Sequence, residues 1–374
     1  AGTLMGRVDA HFDKYGIKRL PDGSVTGAPL LSDDEFNHSL GEMRIRFIQE
    51  IVYWCALDYM YTGNTSNVPR VIDALDHALD QGFAYGSGQG TNHHYGYQVR
   101  DLYKGVWILR KEIEKTGKLD EYVKALTYWS GLQEARMPYE QTRDGILDAW
   151  HTLHNAKVIS AMLQKDDASR YAAMKALGKW TSGSLSYTDG TLGGIKVDGT
   201  SFHHGGHYPG YSVGAFAVLG DYCWFTKDTD FVIDESARRV FKHTLMTLRD
   251  YCNLRDWGVG VSGRHPFNGA IPEKDVEAFA RLALLGDLTG TGLSADPELG
   301  GAYLSLGGKD KELQAAMKQA GVKPYMPEEG FRVYNYGGFG IHRRGDWMMT
   351  LKGYNSDVWS TEIYAADNRF GRYI

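Results

Sequence analysis

The chain has 374 residues, a net charge of −5 and a hydrophobic content of 43%, enough for one large helical domain or for two domains. Its basic residues are dispersed, which argues against general attraction to nucleic acid or to an anionic membrane. It contains no apolar run of the roughly 18 residues that a membrane-spanning helix needs.

The first residues, Ala1 to Val8, lack the basic-then-apolar layout of a signal peptide. With no initiator Met and a patterned end at Phe370-Gly-Arg-Tyr-Ile374, the chain reads as a piece of something longer. From about residue 36 to 290 apolar residues recur at helical spacing. Leu102, Val106, Leu109 and Ile113 make one stripe, Phe241, Leu245, Leu248 and Cys252 a second, and Val276, Phe279 and Ala283 a third. Gly, Asn, Asp and Pro clusters separate them, as in Tyr85-Gly-Ser-Gly-Gln-Gly-Thr-Asn92 and Asp189-Gly-Thr-Leu-Gly-Gly194. This alternation predicts antiparallel helical hairpins in series, with functional loops at one end. No short repeat marks a strict solenoid.

Cys55, Cys223 and Cys252 have no metal-ligand spacing and sit among apolar residues, so they are expected to be buried thiols. The 24 Tyr and 9 Trp supply flat surfaces suited to sugar rings as well as to core filling. Of Trp107, Trp129, Trp150 and Trp180, three lie on apolar helical stretches and read as core. After Pro324-Tyr-Met-Pro327 the texture changes. Phe331–Tyr336 and Trp347–Tyr354 look like strands, and Arg344-Gly-Asp346 fits a hairpin turn better than an adhesion motif. The division expected is a helical domain over 1–325 and the first strands of a β domain over 326–374.

The stretch Gly199–Phe216, GTSFHHGGHYPGYSVGAF, gathers His203, His204, His207, Tyr208 and Tyr211. Zinc would want a Glu between helically spaced histidines, and His204-Gly-Gly-His207 has neither the Glu nor the helical propensity. The glycines and Pro209 predict an irregular loop that projects rings into a cleft, followed by a helix from near Tyr211. Three readings stay open here: rings packing a turn, a metal site, and a His/Tyr acid/base pair seven residues apart. Three other stretches share the profile. They are Asn92-His-His-Tyr-Gly-Tyr97 just before a helix, Ser262-Gly-Arg-His-Pro-Phe-Asn268, and Val358–Tyr373, in which Glu362 lies among aromatics and arginines.

Asp198-Gly-Thr200, His204 followed by Tyr208-Pro-Gly-Tyr-Ser212, Gly263-Arg-His-Pro-Phe-Asn268, Gly337-Gly-Phe-Gly-Ile-His-Arg343 and the run from Asn355 to Tyr373 together resemble polysaccharide lyase family 8, the chondroitin and hyaluronate lyases. Among these the chain looks most like the broad-specificity chondroitin sulfate ABC type. The resemblance covers most of the chain from about residue 85. It implies a mainly α fold, an (α/α) toroid (an incomplete barrel of helical hairpins), followed by the beginning of an antiparallel β-sandwich. It also implies a secreted or periplasmic bacterial enzyme, read as a monomer acting on anionic glycosaminoglycan. No protein-bound metal is assigned; calcium or magnesium stays open as a cofactor.

Such lyases cleave the bond to C4 of a uronic acid by β-elimination. The C5 proton is weakly acidic beside an anionic carboxylate, so the protein must first neutralise that group. By resemblance, His204, Tyr211, Arg264 and Glu362 match the catalytic tetrad. Tyr211 would be the base toward glucuronate and the acid for the leaving oxygen. A phenol ordinarily titrates near ~10 and needs cationic neighbours for this work. Arg264 meets that need, and Glu362 would orient Arg264 or His204. Iduronate presents its C5 proton on the opposite face, and His94 matches the extra histidine of the ABC type, with His93 its rival. Asn155 is the candidate for neutralising the carboxylate. His203, His207, Tyr208, His265 and Asn268 are expected to contact sugar or shape the loop; His203 stands where some ABC-type relatives carry Arg. Two other readings compete: an (α/α)-barrel glycoside hydrolase, which would need two carboxylates across the scissile bond, and a catalytically silent carbohydrate-binding fragment.

Overall fold

The computed structural model describes residues 2–30, 45–87, 92–140, 145–263, 265 and 269–358, with only the backbone for 92–94. Two compact units emerge, one of residues 1–137 and 152–177 and one of 138–151 and 178–374. Helices dominate both; among the described residues the first also holds one small antiparallel sheet and the second two.

In the first unit α1 (Gly2–Tyr15) leads into a short hairpin, β1 (Lys18–Arg19) with β2 (Val25–Thr26). Four helices follow: α2 (Arg46–Thr62), α3 (Val68–Asp80), α4 (Asn92–Glu114) and α5 (Leu119–Trp129). The stripe Leu102, Val106, Leu109 and Ile113 is wholly buried on α4, as its spacing predicts. Helices α2 and α4 come unusually close at Gly105, where a Cβ would lie 2.9 Å from the Val52 side chain and 3.2 Å from the Tyr53 backbone. Helix α4 begins at Asn92, so His93 and His94 occupy its first turn rather than a loop before it.

The run Ile146–Met162 is helical but not uniform. It begins as α6 (Ile146–Asp148), loosens into a π turn at Ala149–Leu153 and continues as α7 (His154–Met162). Helix α8 spans Asp167–Ser184. A small sheet then forms from β3 (Gly194–Ile195), β4 (Ser201–His203) and β5 (Gly206–His207). Next come α9 (Pro209–Thr226) and α10 (Glu235–Asp250). Pro209 at the first position of α9 suits a site whose N–H has no helical partner. Val213, Ala215, Phe216, Leu219, Tyr222 and Cys223 are all buried, which makes α9 the central helix of the second unit. Helices α11 (Glu277–Ala283), α12 (Pro297–Ser305) and α13 (Lys311–Gln319) complete the helical part. At Gly220 an added Cβ would come within 2.8 Å of the Ala278 Cα, so α9 and α11 meet almost backbone to backbone.

The chain ends its described part in a sheet of order β6 (Gly330–Tyr334), β7 (Phe339–Arg344) and β8 (Trp347–Lys352). Gly345 and Asp346 form the two-residue β7–β8 turn, with Gly345 at φ 55°. The C-terminal end of α10 ties this sheet down. Asp250 accepts from the Tyr334 hydroxyl at 2.6 Å and pairs with Arg332 at 3.1 Å, while Arg343 donates to the Asp250 and Cys252 carbonyls at 2.9 Å. Cys55, Cys223 and Cys252 are buried free thiols, and burial raises all three thiol pKa values. Trp129, Trp150 and Trp180 are buried as well; Trp107 is half-buried, with the Arg110 guanidinium 3.8 Å over its ring.

Asp296 is a fully buried cap. It accepts from the amides of Glu298, Leu299 and Leu288, each at 3.1 Å, and from Lys242 Nζ at 2.7 Å. Asp296→Ala would leave three amides without their acceptor and the Lys242 ammonium with Glu298 alone, 2.5 Å away, and should cost about 3 kcal/mol in denaturant unfolding. A loss under about 1 kcal/mol would show that the cap does not hold α12.

Candidate active site

His204 sits at the tip of a tight hairpin. Phe202 pairs with His207 and His203 with Gly206, which leaves His204 and Gly205 as the two turn residues. Both have positive φ, 52° and 78°, as a type I′ turn requires. The segment is thus a hairpin rather than the irregular loop that its glycines suggest. Strands of two or three residues are too short to leave an alternating pattern in the sequence.

Strand alternation then divides the histidines. Phe202 and His207 share one face of the hairpin and His203 takes the other. His207 has no accessible surface. Its Nε2 lies 3.1 Å from the Tyr251 hydroxyl, and its ring packs edge-on against Tyr251 and Phe339. Desolvation first, and the Lys352 charge second, lower its pKa to about 3. Lys352 is itself pushed down to about 8 by burial while donating to the Gly337 and Gly353 carbonyls.

On the other face four rings gather. His203 stacks on His204 with centroids 4.0 Å apart, and Tyr211 lies 4.2 Å from His203 and 5.1 Å from His204. Tyr208 stands 4.8 Å from Tyr211 and 6.3 Å from His204. Only two of these rings reach the surface: His204 is exposed and Tyr211 partly so, while His203 and Tyr208 are buried. Tyr211 is the third residue of α9, beside the positive end of the helix dipole.

Specific bonds hold the hairpin to α9. The Ser201 and Ser212 hydroxyls form a very short bond, Ser212 Oγ also donates to the Tyr208 carbonyl at 3.0 Å, and the Tyr208 amide donates to Ser201 at 3.0 Å. At Gly263 an added Cβ would lie 2.1 Å from the Tyr208 ring, and φ is +60°, so only glycine fits over that tyrosine. Asp198 latches the start of the segment. One oxygen accepts from the Thr200 amide and hydroxyl and the other from the Tyr336 amide at 2.9 Å, linking it to the β6–β7 turn.

His265 is exposed, and its amide donates to the Ser262 carbonyl at 3.3 Å. Asn155 is half-buried on α7 in the first unit. Arg264, Asn268 and Glu362, and the side chains of His93 and His94, lie outside the described residues. Among the described residues no group of three His, Cys, Asp or Glu side chains gathers as a metal site would need, and no helix is long and apolar enough to cross a membrane. Asp148 is the site neighbour that motif reasoning misses. Buried at the end of α6, it brings Oδ2 within 3.3 Å of His203 Nε2. Its setting, Ile146-Leu-Asp-Ala-Trp150, is a mostly apolar run that reads as core.

A family model described as "Lyase, catalytic" matches residues 3–312. The chain belongs to the catalytic-domain family of the family 8 polysaccharide lyases. The chondroitin sulfate ABC endolyase of Proteus vulgaris is 32% identical over 79% of this chain and 29% of its own length. The chondroitin sulfate ABC exolyase of Bacteroides thetaiotaomicron is 30% identical over 82% of this chain and 32% of its own length. The chain thus spans about a third of the curated relatives it matches. Among solved structures, a Paenibacillus xanthan lyase superposes with a TM-score of 0.67 at 17% identity, covering 99% of this chain and 36% of that one. A Streptomyces coelicolor A3 chondroitin AC lyase superposes at 0.62 with 14% identity, covering 98% and 51%. These likenesses establish the fold of the lyase catalytic domain.

The neutral, buried His207 carries a pH signature. Its folded pKa is depressed from 6.5 to about 3, so between these values the unfolded chain binds a proton that the folded chain refuses. Stability is therefore lost as pH falls below about 6.5, by about 1.4 kcal/mol per pH unit. His154, also buried with a pKa lowered to about 3, adds a similar contribution. Between about pH 7.5 and pH 5, His207→Gln should lose about 2 kcal/mol less stability than the parent in denaturant titrations. Equal acid losses in the two proteins would contradict the assignment.

Proposed function

We propose that this chain forms the catalytic part of a glycosaminoglycan lyase that cleaves chondroitin and dermatan sulfates, and hyaluronan as a further substrate, by β-elimination. The observation that carries the reading is the pairing of exposed His204 with part-exposed Tyr211, ring centroids 5.1 Å apart, on a buried base of His203 and Tyr208. The names of the relatives, chondroitin sulfate ABC endolyase and exolyase, supply the substrate class. In this reading the architecture is an (α/α) toroid followed by the first strands of a β-sandwich, with the boundary near residue 325.

The chemistry follows from what each group can do. A hydrogen bond from His204, with positive charge from Arg264, offsets the uronate carboxylate and makes the C5 proton removable. Tyr211, as phenolate, takes that proton from a glucuronate. The C5–H electron pair becomes the C4=C5 double bond, the C4–O bond breaks, and the leaving oxygen takes the proton back from the Tyr211 phenol. The positive end of α9 favours negative charge at Tyr211 during the first half of this cycle. Glu362 orients Arg264 or His204, and His94 serves as base for iduronate, whose C5 proton lies on the other face. Asn155 is assigned to the carboxylate, and His93, His265 and Asn268 to sugar contacts.

A hydrolase would need a second carboxylate open to the scissile bond. Asp148, the carboxylate beside this cluster, is buried beneath the rings. Tyr211→Phe should lower the rate of ultraviolet-absorbing product formation by about 10³-fold or more on both chondroitin and dermatan sulfate. Retention of a tenth of the parent rate would remove Tyr211 from the proton transfer. His94→Ala should lose activity on iduronate-rich chains about 10²-fold more than on glucuronate-rich ones. Equal losses on both would argue against an epimer-specific base.

A further inference from the structure

We infer that Asp148 and His203 form a buried positioning pair that sets the ring planes of His204 and Tyr211. This rests on the lyase reading only for the reaction used to measure it. His203 is the ring nearest to both accessible ones, stacked on His204 at 4.0 Å with 29° between planes and tilted against Tyr211 at 4.2 Å and 48°. With 2% of its side chain exposed it cannot reach a polysaccharide, so it acts through its neighbours. Its Nε2 faces Asp148 Oδ2 at 3.3 Å, within ion-pair distance but outside hydrogen-bond alignment.

Burial makes this pair costly. A carboxylate and an imidazole removed from water are often replaced by apolar side chains without loss of stability. Packing alone therefore gives no reason for a polar pair here. A reason does exist in its location. Hairpin residue His203 is joined to His204 by the chain, and Asp148 opens the π turn Ala149–Leu153, a helix defect that recurs at functional sites. His151 of the same turn sits against the helix that carries Tyr211, where a Cβ on Gly214 would come within 2.8 Å of its ring. The hairpin thus meets Asp148, at the entry to this turn, and α9 meets His151 within it; these two elements supply the accessible rings. Rotation of the His203 ring about its contact with Asp148 would move the surfaces on which His204 and Tyr211 rest.

The expectation that His203 touches sugar gives way here to a positioning role. The decisive variant removes the polarity and keeps the volume: Asp148→Leu with His203→Phe. Misplacement of reacting groups by about 1 Å costs up to about 10²-fold. In the full-length protein this double variant should keep the parent melting temperature and the parent KM within about twofold, while kcat on chondroitin sulfate falls about 30-fold. His203→Gln, whose amide still reaches Asp148, should recover kcat to within about threefold of the parent. A folded double variant with parent kcat overturns the proposal, as does a His203→Gln as impaired as His203→Phe. If the double variant does not fold, His203→Phe alone is compared with His203→Gln on the same criteria. A parent that forms no unsaturated product sinks the lyase reading instead, and the pair is then judged by nuclear magnetic resonance of Asp148→Asn. Displaced His204 and Tyr211 ring signals support the positioning role, and unmoved ones refute it.

Discussion

The paired positive φ angles at His204 and Gly205 are the constraint around which the second unit is arranged. Glycine adopts that backbone freely, but a histidine there costs about 1–2 kcal/mol. The benefit is presentation: a two-residue turn lifts one imidazole to the surface while the residues on both sides return at once to the interior. His203 and His207 are buried on opposite faces of the same hairpin. Cross-links repay the strain. The Ser201–Ser212 hydroxyl pair and the Tyr208 amide lock the hairpin onto the start of α9, and that start is where Tyr211 emerges.

The same constraint explains why β-structure near the end of the described chain matters to residues far from it in sequence. His207 needs a lid, and the β6–β7 turn and Phe339 provide it. The sheet can serve as a lid because Asp250 and the carbonyls at the end of α10 take its Tyr334, Arg332 and Arg343 side chains. Asp198 closes the ring of contacts by capturing the Tyr336 amide. The accessible His204 and Tyr211 thus stand on a scaffold tied together by hydrogen bonds from several elements.

Much of this was legible in the sequence. The three apolar stripes, the buried thiols, the β7–β8 turn at Gly345-Asp346 and the helix through Val213 and Phe216 follow from periodicity and turn chemistry. The motifs around His204 and Tyr211 carried the family resemblance that the matched family model bears out. What stayed hidden depends on register. Whether His203, His204 or His207 reaches solvent is decided by which hairpin residues pair, and strands this short leave no trace of that in composition. Asp148 was hidden for a related reason. An isolated acid between Leu147 and Trp150 looks like one polar residue on a core helix until the π turn and the facing hairpin are known.

The chain resembles chondroitin sulfate ABC lyases over about a third of their length, and the central claim concerns what its accessible His and Tyr do to the glycosidic bond. Elimination and hydrolysis differ by one water. Elimination closes the new non-reducing end with a C4=C5 double bond, whereas hydrolysis adds one water to every bond cut. Digestion of chondroitin sulfate followed by mass spectrometry of the oligosaccharides, with ultraviolet absorbance read alongside, measures this directly. β-Elimination through His204 and Tyr211 predicts ultraviolet-absorbing products one water lighter than hydrolytic ones. Products of full hydrolytic mass without that absorbance would contradict it.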